Sequence, residues 1–391
     1  MKIKTIKQIK SLKGKTILLR LDLNVPIRRK KVTEDYKLKM ALPTINYLLE
    51  KEAKVIIISH LGRPKGKKDD KYSLEPVAKA LEDLLGFNIK FSKQVVGKMV
   101  LKKAKALKNK EVMLLENLRF NPGEKENSLD FSKSLAELAD IYVNDAFAVS
   151  HRAQASVDKI KKQLPSYGGL LLEKEINNLS LVIKPKKPFL AVMGGAKIST
   201  KIKLLESLSK SADKILIGGA LANTLHLAKG NEVGKSLVDK DSLAWSKKFI
   251  KQKKLKDKIL LPSDFLVENI KKEIIVKNLK DLKKTDKIYD IGPDTILKFS
   301  TEIKKAQTLI WNGPLGMFEN KSFKQGTISI ARSLSLQSKQ EAVCIVGGGE
   351  TVEALNALNY KDYINWISTG GGAMLSFLAH ENMPGLKGLI K

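Results

Sequence analysis

The chain has 391 residues, 43% of them apolar, and a formal net charge of +31 from 72 Lys and Arg against 41 Asp and Glu. The length predicts two domains at about 150 residues each, and the apolar content excludes a mainly disordered chain. The single cysteine, Cys344, excludes a disulfide scaffold and a cysteine-rich metal site. Because no apolar run reaches the roughly 18 residues of a membrane span, and the basic segment 1–15 lacks the apolar core of a signal peptide, we expect a cytoplasmic protein.

The first half of the chain alternates short apolar stretches with helical patterns. Strands are predicted over 16–25, 54–59, 111–116 and 141–145, and helices over 41–51 and 73–85. Ser73 is placed to cap the second helix and Gly86 to end it. A further helix over 170–183 carries a Leu/Ile stripe, which suits either ordinary core packing or a rod that joins two lobes.

The second half repeats this alternation, with strands predicted over 189–192, 214–217, 258–261, 287–290, 308–311, 342–346 and 363–367. Short apolar strands between helices are typical of parallel sheets that are covered on both faces. The predicted fold class is therefore α/β. We expect two similar-sized lobes, over 1–169 and 185–375, each a parallel sheet flanked by helices, joined by a helix at 170–184 and a hinge.

The unusual polar residues of the first lobe follow predicted strands, where open α/β sheets bind ligands. They lie in the segments Asp22-Leu23-Asn24, His60-Leu61-Gly62-Arg63, Asn117-Leu118-Arg119 and His151-Arg152. Only seven of the 72 basic residues are arginines. Those in these segments are either placed there by chance or are candidates for an anion pocket, where a planar fork binds a carboxylate or a phosphate. His60 and His151 are either structural histidines or donors to an anion.

The second lobe carries glycine clusters at 194–195, 218–219, 347–349 and 370–372. Each is either a tight turn or a set of backbone N–H groups that contact phosphate at the start of a helix. Lys197 and Lys201 follow the first cluster and would share one face of a helix. They are either a solvated pair or two cations that flank an anion. Several such clusters in one lobe favour a phosphate ligand.

Standard signatures of other nucleotide and metal sites are absent. The chain has no G-x-x-x-x-G-K-[ST] loop and no G-x-G-x-x-G fingerprint, and its four histidines show no metal-ligand spacing. The sequence does not exclude an Mg²⁺ ion that is bound by a carboxylate and phosphates. The charge of +31 would suit nucleic acid, but only 6% of the residues are aromatic, so few bases could stack. A lysine-rich surface that attracts small anions is the preferred interpretation.

Taken together, these segments resemble the phosphoglycerate kinase family. The first-lobe motifs are RLDLNVP at 20–26, SHLGRP at 59–64, ENLRF at 116–120, DAF at 145–147 and HRAQAS at 151–156. The second-lobe motifs are those at 194–201, 311–319, 347–351 and 368–373. The resemblance runs in order from about residue 14 to residue 390, and such a set is far more specific than any one glycine cluster.

The resemblance implies reversible, Mg²⁺-dependent phosphoryl transfer between 1,3-bisphosphoglycerate and ADP, which gives 3-phosphoglycerate and ATP by direct in-line transfer after hinge closure. It also implies a monomer with no membrane or specific nucleic-acid partner, whose segment 376–391 packs back on the first lobe. The implied 3-phosphoglycerate ligands are Asp22, Asn24, Lys37, His60, Arg63, Arg119 and Arg152. The implied nucleotide ligands are Lys197, Lys201, Asn312, Glu319, Gly347, Gly348, Gly349, Glu350 and Thr351. Among all these, the resemblance makes Lys37 and Lys201 catalytic and Glu350 the metal ligand, and it places the helix N-terminus at Gly370, Gly371 and Gly372 near the transition state.

Three residues depart from the family pattern at the implied site. Lys37 stands where the family has an arginine, and it keeps the charge but loses the planar fork. Glu350 replaces the usual aspartate, and Ala220 adds a methyl group near the adenine where glycine is usual. An active kinase is the main prediction. A catalytically weak relative kept for ligand or partner binding, and a basic nucleic-acid-binding protein, are the alternatives.

Overall fold

The short apolar strands form two six-stranded parallel sheets, one in each of two units, and amphipathic helices connect the strands. The structure is a computed structural model that describes residues 1–357 and 360–390. Unit 1 comprises Met1–Asn177 together with the chain from Asn382, and unit 2 comprises Asn178–Glu381. Neighbouring parallel strands need crossover connections, which the intervening helices supply. The predicted α/β class with two lobes of parallel sheet is confirmed.

Unit 1 is built from short strands and from helices that mostly have one buried face. Its strands are β1 (Thr16–Leu21), β2 (Ile27–Arg28), β3 (Lys31–Val32), β4 (Lys54–Ile58), β5 (Lys90–Ser92), β6 (Val112–Leu115), β7 (Ile141–Asp145) and β8 (Ser166–Gly168). Its helices are α1 (Tyr36–Glu50), α2 (Glu75–Leu85), α3 (Lys98–Lys105), α4 (Pro122–Lys125), α5 (Leu129–Ala136) and α6 (Leu170–Ile183), the last of which continues into unit 2. The sheet has the order β5-β6-β4-β1-β7-β8, while β2 and β3 form a separate antiparallel hairpin.

Strand β1 lies in the middle of this sheet because its side chains are buried on both faces. Every residue from Ile17 to Leu21 is buried, and this includes Arg20. The strand ends at Leu21, before the predicted end at residue 25, because the chain turns towards the β2–β3 hairpin. Asp22 and Asn24 therefore lie in the loop beyond its carboxyl end.

Helix α2 begins two residues later than predicted and ends where predicted. Ser73, the predicted N-cap, accepts a hydrogen bond from the Glu75 amide at 3.2 Å, but Leu74 is the residue that immediately precedes the helix. Gly86 adopts a left-handed φ of 77°, and its N–H donates to the Glu82 carbonyl. Such a glycine ends a helix because a left-handed residue cannot continue it.

Unit 2 repeats the alternation and adds a second sheet. Its strands are β9 (Phe189–Met193), β10 (Lys214–Ile217), β11 (Ile259–Leu260), β12 (Asp264–Glu268), β13 (Ile274–Asn278), β14 (Lys287–Ile291), β15 (Thr308–Asn312), β16 (Val343–Gly347) and β17 (Trp366–Ser368). Its helices are α7 (Ile202–Ser211), α8 (Gly219–Ala228), α9 (Leu243–Ile250), α10 (Pro293–Ile303), α11 (Gln325–Lys339), α12 (Gly349–Ala357) and α13 (Gly372–Leu378). Within the described part of the chain, no helix is both long and apolar enough to cross a membrane.

The prediction that every strand of the second half joins a parallel sheet is wrong for β14. This strand pairs antiparallel with β12, which pairs antiparallel with β13, in a separate three-stranded sheet. Strands β12 and β13 were not predicted. In β13 the side chains of Ile274 and Val276 are exposed, so apolar residues lie on the solvent face and the alternation that marks a half-buried strand is hidden.

The carboxyl ends of five strands in unit 2 lie side by side. Met193 of β9 is in register with Ile217 of β10 and with Asn312 of β15. Asn312 is in register with Gly347 of β16, and Gly347 with Ser368 of β17. The loops that follow these strands, which carry the glycine clusters, therefore start along one edge of the sheet.

The C-terminal segment contacts unit 1. The Gly385 amide donates to the Ser150 carbonyl at 2.8 Å, and the Lys4 amide donates to the Leu389 carbonyl at 2.7 Å. Lys161 Nζ donates to the Lys387 carbonyl at 2.8 Å. The predicted returning segment, 376–391, begins inside α13 in unit 2 and ends at a residue that lies outside the described part of the chain.

Asp145 ties the start of α6 to the end of β7. Its Oδ1 accepts a hydrogen bond from the Leu172 amide at 2.8 Å, and its side chain is fully buried. Burial raises the pKa of Asp145 to about 6, and Glu175 adds to this, against hydrogen bonds from Thr44 and the Leu171 and Leu172 amides.

We expect this carboxyl group to make the free energy of unfolding depend on pH. Its pKa is about 6 in the folded chain against 3.8 in the unfolded chain, so the folded state binds the proton more tightly and loses stability as pH rises from about 4 to about 6. The loss is at most roughly 3 kcal/mol, at about 1.36 kcal/mol per pKa unit. Asp145→Asn keeps an acceptor for the Leu172 amide and should remove this dependence. Urea unfolding at pH 4 and pH 7 measures the free energy of unfolding of the variant minus that of the native chain. This difference should be more favourable to the variant at pH 7 than at pH 4, and an equal difference at both pH values would contradict the prediction.

Candidate active site

Asp22 and Lys37 form an ion pair at the carboxyl end of β1. Lys37, in the first turn of α1, donates from Nζ to Asp22 Oδ2 at 2.7 Å. Burial alone raises the pKa of Asp22, but nearby cationic side chains, Lys37 foremost, outweigh burial and hold the pKa below its usual value. Lys39 pairs instead with Asp35 on the exposed side of the helix. Lys37, and not Lys39, is therefore the lysine of α1 that contacts this cluster.

His60 lies beside this ion pair. Its Nδ1 is 4.0 Å from Asp22 Oδ1 and 3.2 Å from Nη2 of Arg20. Only 5% of the residue is exposed. Burial lowers the pKa of His60 well below its usual value, and Arg20, Arg119 and Lys37 lower it further, against the carboxylate of Asp22. The imidazole is therefore neutral near pH 7.

Asn24 and Arg119 hold the loop that contains Gly62. Asn24 Oδ1 accepts a hydrogen bond from the Gly62 amide at 2.9 Å, and Arg119 Nη1 donates to the Gly62 carbonyl at 2.6 Å. Burial, then the charges of Arg152 and Arg20, lower the pKa of Arg119 to about 10. The guanidinium stays charged at pH 7. Cations gathered at one point repel each other, and a bound anion relieves that repulsion.

Arg63 and Arg152 are exposed at the edge of this cluster. Arg63 follows Gly62 in the same loop, and Arg152 donates from Nε to His151 Nε2 at 3.2 Å. Because a guanidinium has no acceptor atom, His151 is the acceptor in this contact and supports Arg152. Both guanidinium groups are therefore accessible to a ligand in solution.

A buried network that the sequence analysis missed lies next to His60. Arg20, Ser156 and Glu124 are all fully buried. Arg20 Nε donates to Ser156 Oγ at 3.0 Å, and Ser156 Oγ donates to Glu124 Oε1 at 2.7 Å. One signal was present in the sequence, because a lone arginine within an apolar strand is a charge that must be buried and paired.

In unit 2, glycines let two of the strand-end loops touch. A Cβ on Gly194 would lie 2.0 Å from the Pro314 carbonyl oxygen, and one on Gly313 would lie 2.3 Å from the Gly194 carbonyl oxygen. Gly313 also has a φ of 94°, which favours glycine. The glycines at these two positions are therefore required by the contact between the loops.

Lys201 and Glu350 both lie over Gly195. A Cβ on Gly195 would be 3.1 Å from Lys201 Nζ and 3.9 Å from Glu350 Oε2. Burial lowers the pKa of Lys201, and Glu350 opposes this. The prediction that Lys197 and Lys201 share a helical face is wrong, because α7 begins only at Ile202. Lys197 is exposed in the turn before the helix, while Lys201 is turned inwards.

Asn312 and Thr351 hold the glycine loops together. Asn312 Nδ2 donates to the Gly347 carbonyl at 2.7 Å, and the Gly313 amide donates to Thr351 Oγ1 at 2.7 Å. A Cβ on Gly348, whose φ is 102°, would lie 2.8 Å from Asn312 Nδ2. These two predicted nucleotide ligands thus set the position of the loop backbone.

A cavity of about 410 Å³ lies beside these loops. Its lining includes Gly195, Ala220, Glu319 and Glu350. Apolar side chains such as Leu315 complete the wall, and Lys235 and Lys287 also line it, so the cavity combines an apolar surface with carboxylates and two lysines. Such a lining suits a flat aromatic ring that carries a polar, anionic extension.

Asp290 is a second residue that the sequence analysis missed, and it forms part of the cavity wall. Its carboxylate accepts hydrogen bonds from the Ile291 amide at 2.9 Å and the Gly326 amide at 2.7 Å. Burial raises the pKa of Asp290 to about 7, and these two amides oppose the shift. A Cβ on Gly316 would lie 2.1 Å from its Oδ1, so the carboxylate packs closely against the loop that leads to Glu319.

The predicted strand–glycine–helix arrangement is present at both C-terminal clusters. Helix α12 begins at Gly349, directly after β16, and α13 begins at Gly372, shortly after β17. Gly371 has a φ of 49°, and the Gly370 amide donates to Ser368 Oγ at 3.1 Å. Backbone amides at the starts of these helices can donate to an anion.

The acidic residues of this site fit only one mode of metal binding. Within residues 1–357 and 360–390, no group of three or more His, Cys, Asp or Glu side chains could hold a metal ion. Mg²⁺ at nucleotide sites commonly uses one or two carboxylates together with phosphate oxygens and waters. Glu350 lies on the cavity wall next to Lys201. Its carboxylate is suited to bind Mg²⁺ together with phosphate oxygens and waters in this way.

Comparisons with known proteins agree on one family. The family model described as phosphoglycerate kinase matches residues 6–381. The phosphoglycerate kinase of Coprothermobacter proteolyticus is 42% identical over 394 residues, which cover 100% of this chain and 99% of the relative. That of Finegoldia magna is 44% identical and covers 98% of each chain. The solved phosphoglycerate kinase structure from Coxiella burnetii has a TM-score of 0.88 at 38% identity, covering 99% of this chain and 98% of the other.

Proposed function

The chain belongs to the phosphoglycerate kinase family, and from this membership we propose which of its residues bind the substrates and transfer the phosphoryl group. It is a phosphotransferase with a carboxyl group as acceptor, active in glycolysis. The observation that carries the proposal is the chemical contrast between the units. Arginine and histidine follow the strands of one sheet, whereas glycines, Lys201 and Glu350 follow those of the other.

Unit 1 binds 3-phosphoglycerate. The guanidinium groups of Arg63, Arg119 and Arg152 neutralise its anionic groups, and His60 adds an N–H donor. The Asp22 carboxylate accepts a hydrogen bond from the hydroxyl group of the substrate, and Asn24 Nδ2 donates one to it. The depressed pKa of Asp22 supports this role, because a charged carboxylate is the stronger acceptor.

Unit 2 binds ADP or ATP. The base lies in the 410 Å³ cavity with its ring near Ala220, and the ribose lies towards Glu319. Lys197, Lys201 and the amides of Gly347, Gly348 and Gly349 contact the phosphates. Asn312 and Thr351 keep these loops in place through the hydrogen bonds described above.

Phosphoryl transfer at this site needs aligned oxygens and charge compensation, and no covalent intermediate on the protein. A carboxylate oxygen of 3-phosphoglycerate forms a bond to the γ-phosphorus of ATP as the bond from that phosphorus to the β–γ bridging oxygen breaks. Lys201 and Lys37 compensate the charge on the transferring group, aided by the amides of Gly370, Gly371 and Gly372. Glu350 would hold Mg²⁺ together with the nucleotide, and the bound ion would supply further charge neutralisation.

We propose that a hinge motion brings together the ligands carried by the two units and excludes water from the acyl phosphate. In small-angle scattering, the protein with both ligands bound should have a smaller radius of gyration than the protein with either ligand alone. An unchanged radius would count heavily against closure.

We further place the enzyme in the cytoplasm as a monomer with small-molecule substrates only. The fully buried thiol of Cys344 is consistent with a reducing compartment.

Lys37→Arg should raise kcat with little change in affinity for 3-phosphoglycerate. The single ammonium group of Lys37 is already paired with Asp22 at 2.7 Å, whereas an arginine could keep one nitrogen on Asp22 and offer a second to the transferring group. We expect a gain of roughly tenfold, equivalent to about 1.4 kcal/mol. Steady-state kinetics measure it, with Lys39→Arg as the control, because Lys39 lies in the same turn of α1 but pairs with Asp35. No gain over that control would contradict the proposed role of Lys37.

The assignment of ligands to units is tested by calorimetric titration of the full chain. ADP with Mg²⁺ and 3-phosphoglycerate should each bind at one site. Arg63→Ala should weaken only 3-phosphoglycerate, and Ala220→Leu, which fills the cavity, should weaken only ADP. Loss of the opposite ligand in either variant would overturn the assignment.

A further inference from the structure

Arg20 is the most deeply buried cation near the proposed 3-phosphoglycerate site, and its contacts are internal. It is fully buried, donates from Nη1 to the Leu21 carbonyl and from Nε to Ser156 Oγ at 3.0 Å, and places Nη2 3.2 Å from His60 Nδ1. A buried charge is costly unless it is paired and hydrogen-bonded. The rest of the network meets that requirement.

Ser156 and Glu124 complete the network and fix the direction of its hydrogen bonds. Glu124 is fully buried and takes both donors of Ser156, its amide at 2.9 Å and its hydroxyl at 2.7 Å. Since the hydroxyl group donates its only proton to Glu124, Ser156 Oγ accepts the hydrogen bond from Arg20 Nε. The carboxylate of Glu124 therefore compensates the guanidinium through one hydroxyl group and holds it against His60.

The contact with Arg20 determines where His60 carries its proton. A guanidinium has five N–H donors and no acceptor, so the nitrogen that faces it must supply a lone pair. Nδ1 of His60 is that nitrogen, and a neutral ring then has its proton on Nε2. The Asp22 carboxylate favours an imidazolium from 4.0 Å, but Lys37 pairs with Asp22 at 2.7 Å and, with Arg20 and Arg119, opposes a further positive charge.

We propose that Arg20 is a positioning residue which, with Ser156 and Glu124, holds His60 as the neutral tautomer with its proton on Nε2, so that one N–H donor faces the anionic substrate. The inference rests on the proposed function of this cluster. His60 then provides a directed hydrogen bond, while the surrounding arginines provide the charge. Because the proton stays on Nε2, this donor is present across the physiological pH range.

The first test needs no variant of Arg20. Nitrogen-15 NMR of the ligand-free full chain, labelled at its four histidines, distinguishes the two neutral tautomers and the imidazolium between pH 5.5 and pH 8, and His60→Gln identifies the His60 signals. We expect a protonated Nε2, an unprotonated Nδ1 and no titration above pH 5.5. An imidazolium at pH 7, or a proton on Nδ1, would overturn the proposal.

The second test removes the network. Arg20→Met and Ser156→Ala should each give a mixture of tautomers and move the titration of His60 towards the ordinary range, and Arg20→Lys should restore the native pattern in part. Arg332→Met, at an exposed arginine of α11 that bonds only to Tyr360 in the described structure, is the matched control. If Arg20→Met does not fold, Ser156→Ala and the native spectrum decide. An unchanged tautomer and titration in Ser156→Ala and in any folded Arg20 variant would overturn the proposal.

Kinetics and ligand titration separate this inference from the proposed function. Arg20→Met should raise KM for 3-phosphoglycerate roughly tenfold, as expected for a weakened hydrogen bond to a charged group, with kcat changed much less. Addition of 3-phosphoglycerate should shift the His60 Nε2–H signal. If the tautomer is as expected but this signal does not move, the substrate role of His60 is wrong and the role of Arg20 towards His60 stands.

Discussion

Replacement of Lys201 by methionine is expected to lower kcat about 10³-fold, within the range observed when one charge-stabilising group is removed from a transition state. Lys201 Nζ lies over Gly195 next to Glu350, and both of these residues line the proposed nucleotide cavity. Methionine keeps the length of the side chain and removes only the charge and the donors. Stopped-flow or steady-state assays of ATP formation would measure kcat, and calorimetry should show unchanged binding of 3-phosphoglycerate.

Lys203→Met is the matched control for this result. Lys203 is two residues away, exposed, and paired with Glu381, so its loss should leave kcat within about twofold, as for an exposed ion pair worth less than about 1 kcal/mol. Lys201→Arg should recover part of the activity because it restores the charge. A kcat of Lys201→Met within tenfold of the native value would remove Lys201 from the catalytic role.

Arg119→Met is expected to raise KM for 3-phosphoglycerate about 100-fold, because a hydrogen bond to a charged group contributes up to about 3 kcal/mol. The guanidinium of Arg119 is half-buried, donates to the Gly62 carbonyl at 2.6 Å, and lies among other cations that lower its pKa to about 10. Its removal takes away charge and releases the loop that carries Arg63. The affinity for ADP, measured by calorimetry, should stay the same.

The matched control for Arg119 is Arg332→Met on unit 2, where the guanidinium is exposed and bonds to the Tyr360 hydroxyl at 3.1 Å. This control should leave both KM values unchanged. Arg119→Lys should lie between the native enzyme and Arg119→Met, since it keeps the charge without the fork. If Arg119→Met weakened ADP as much as 3-phosphoglycerate, its effect would be a general loss of structure.

Most strand ends could be predicted to within one residue because short apolar runs stop where polar residues or glycines begin. The exception is β1, which ends at Leu21 and not at residue 25. Strands β7 and β10 have the predicted bounds, and α6 coincides with the predicted helix at Leu170–Ile183. The antiparallel sheet could not be predicted, since apolar Ile274 and Val276 face solvent. Strand β17 begins three residues later than predicted because a short 3₁₀ turn at Lys361–Tyr363 precedes it.

The motifs select the candidate site residues, but the sequence does not predict how these side chains pair. That Lys37 contacts Asp22 depends on where α1 begins, and the structure starts that helix at Tyr36, ahead of the predicted residue 41. The helical interpretation of Lys197 and Lys201 failed for the same reason, because a one-turn shift in a helix start changes which side chains are neighbours. The contacts of Arg20 and Asp290 join distant segments, and local patterns do not reveal such contacts.

The measurement that tests the account most directly is ATP-dependent phosphorylation of 3-phosphoglycerate by the full chain, with Mg²⁺ and with a chelator, alongside Arg63→Ala. The account predicts robust turnover that requires Mg²⁺ and is strongly reduced in the variant at limiting 3-phosphoglycerate. Such a result would show that Lys37, Glu350 and Ala220 are compatible with catalysis. Absence of turnover in the native chain, with ADP and 3-phosphoglycerate still bound, would contradict it.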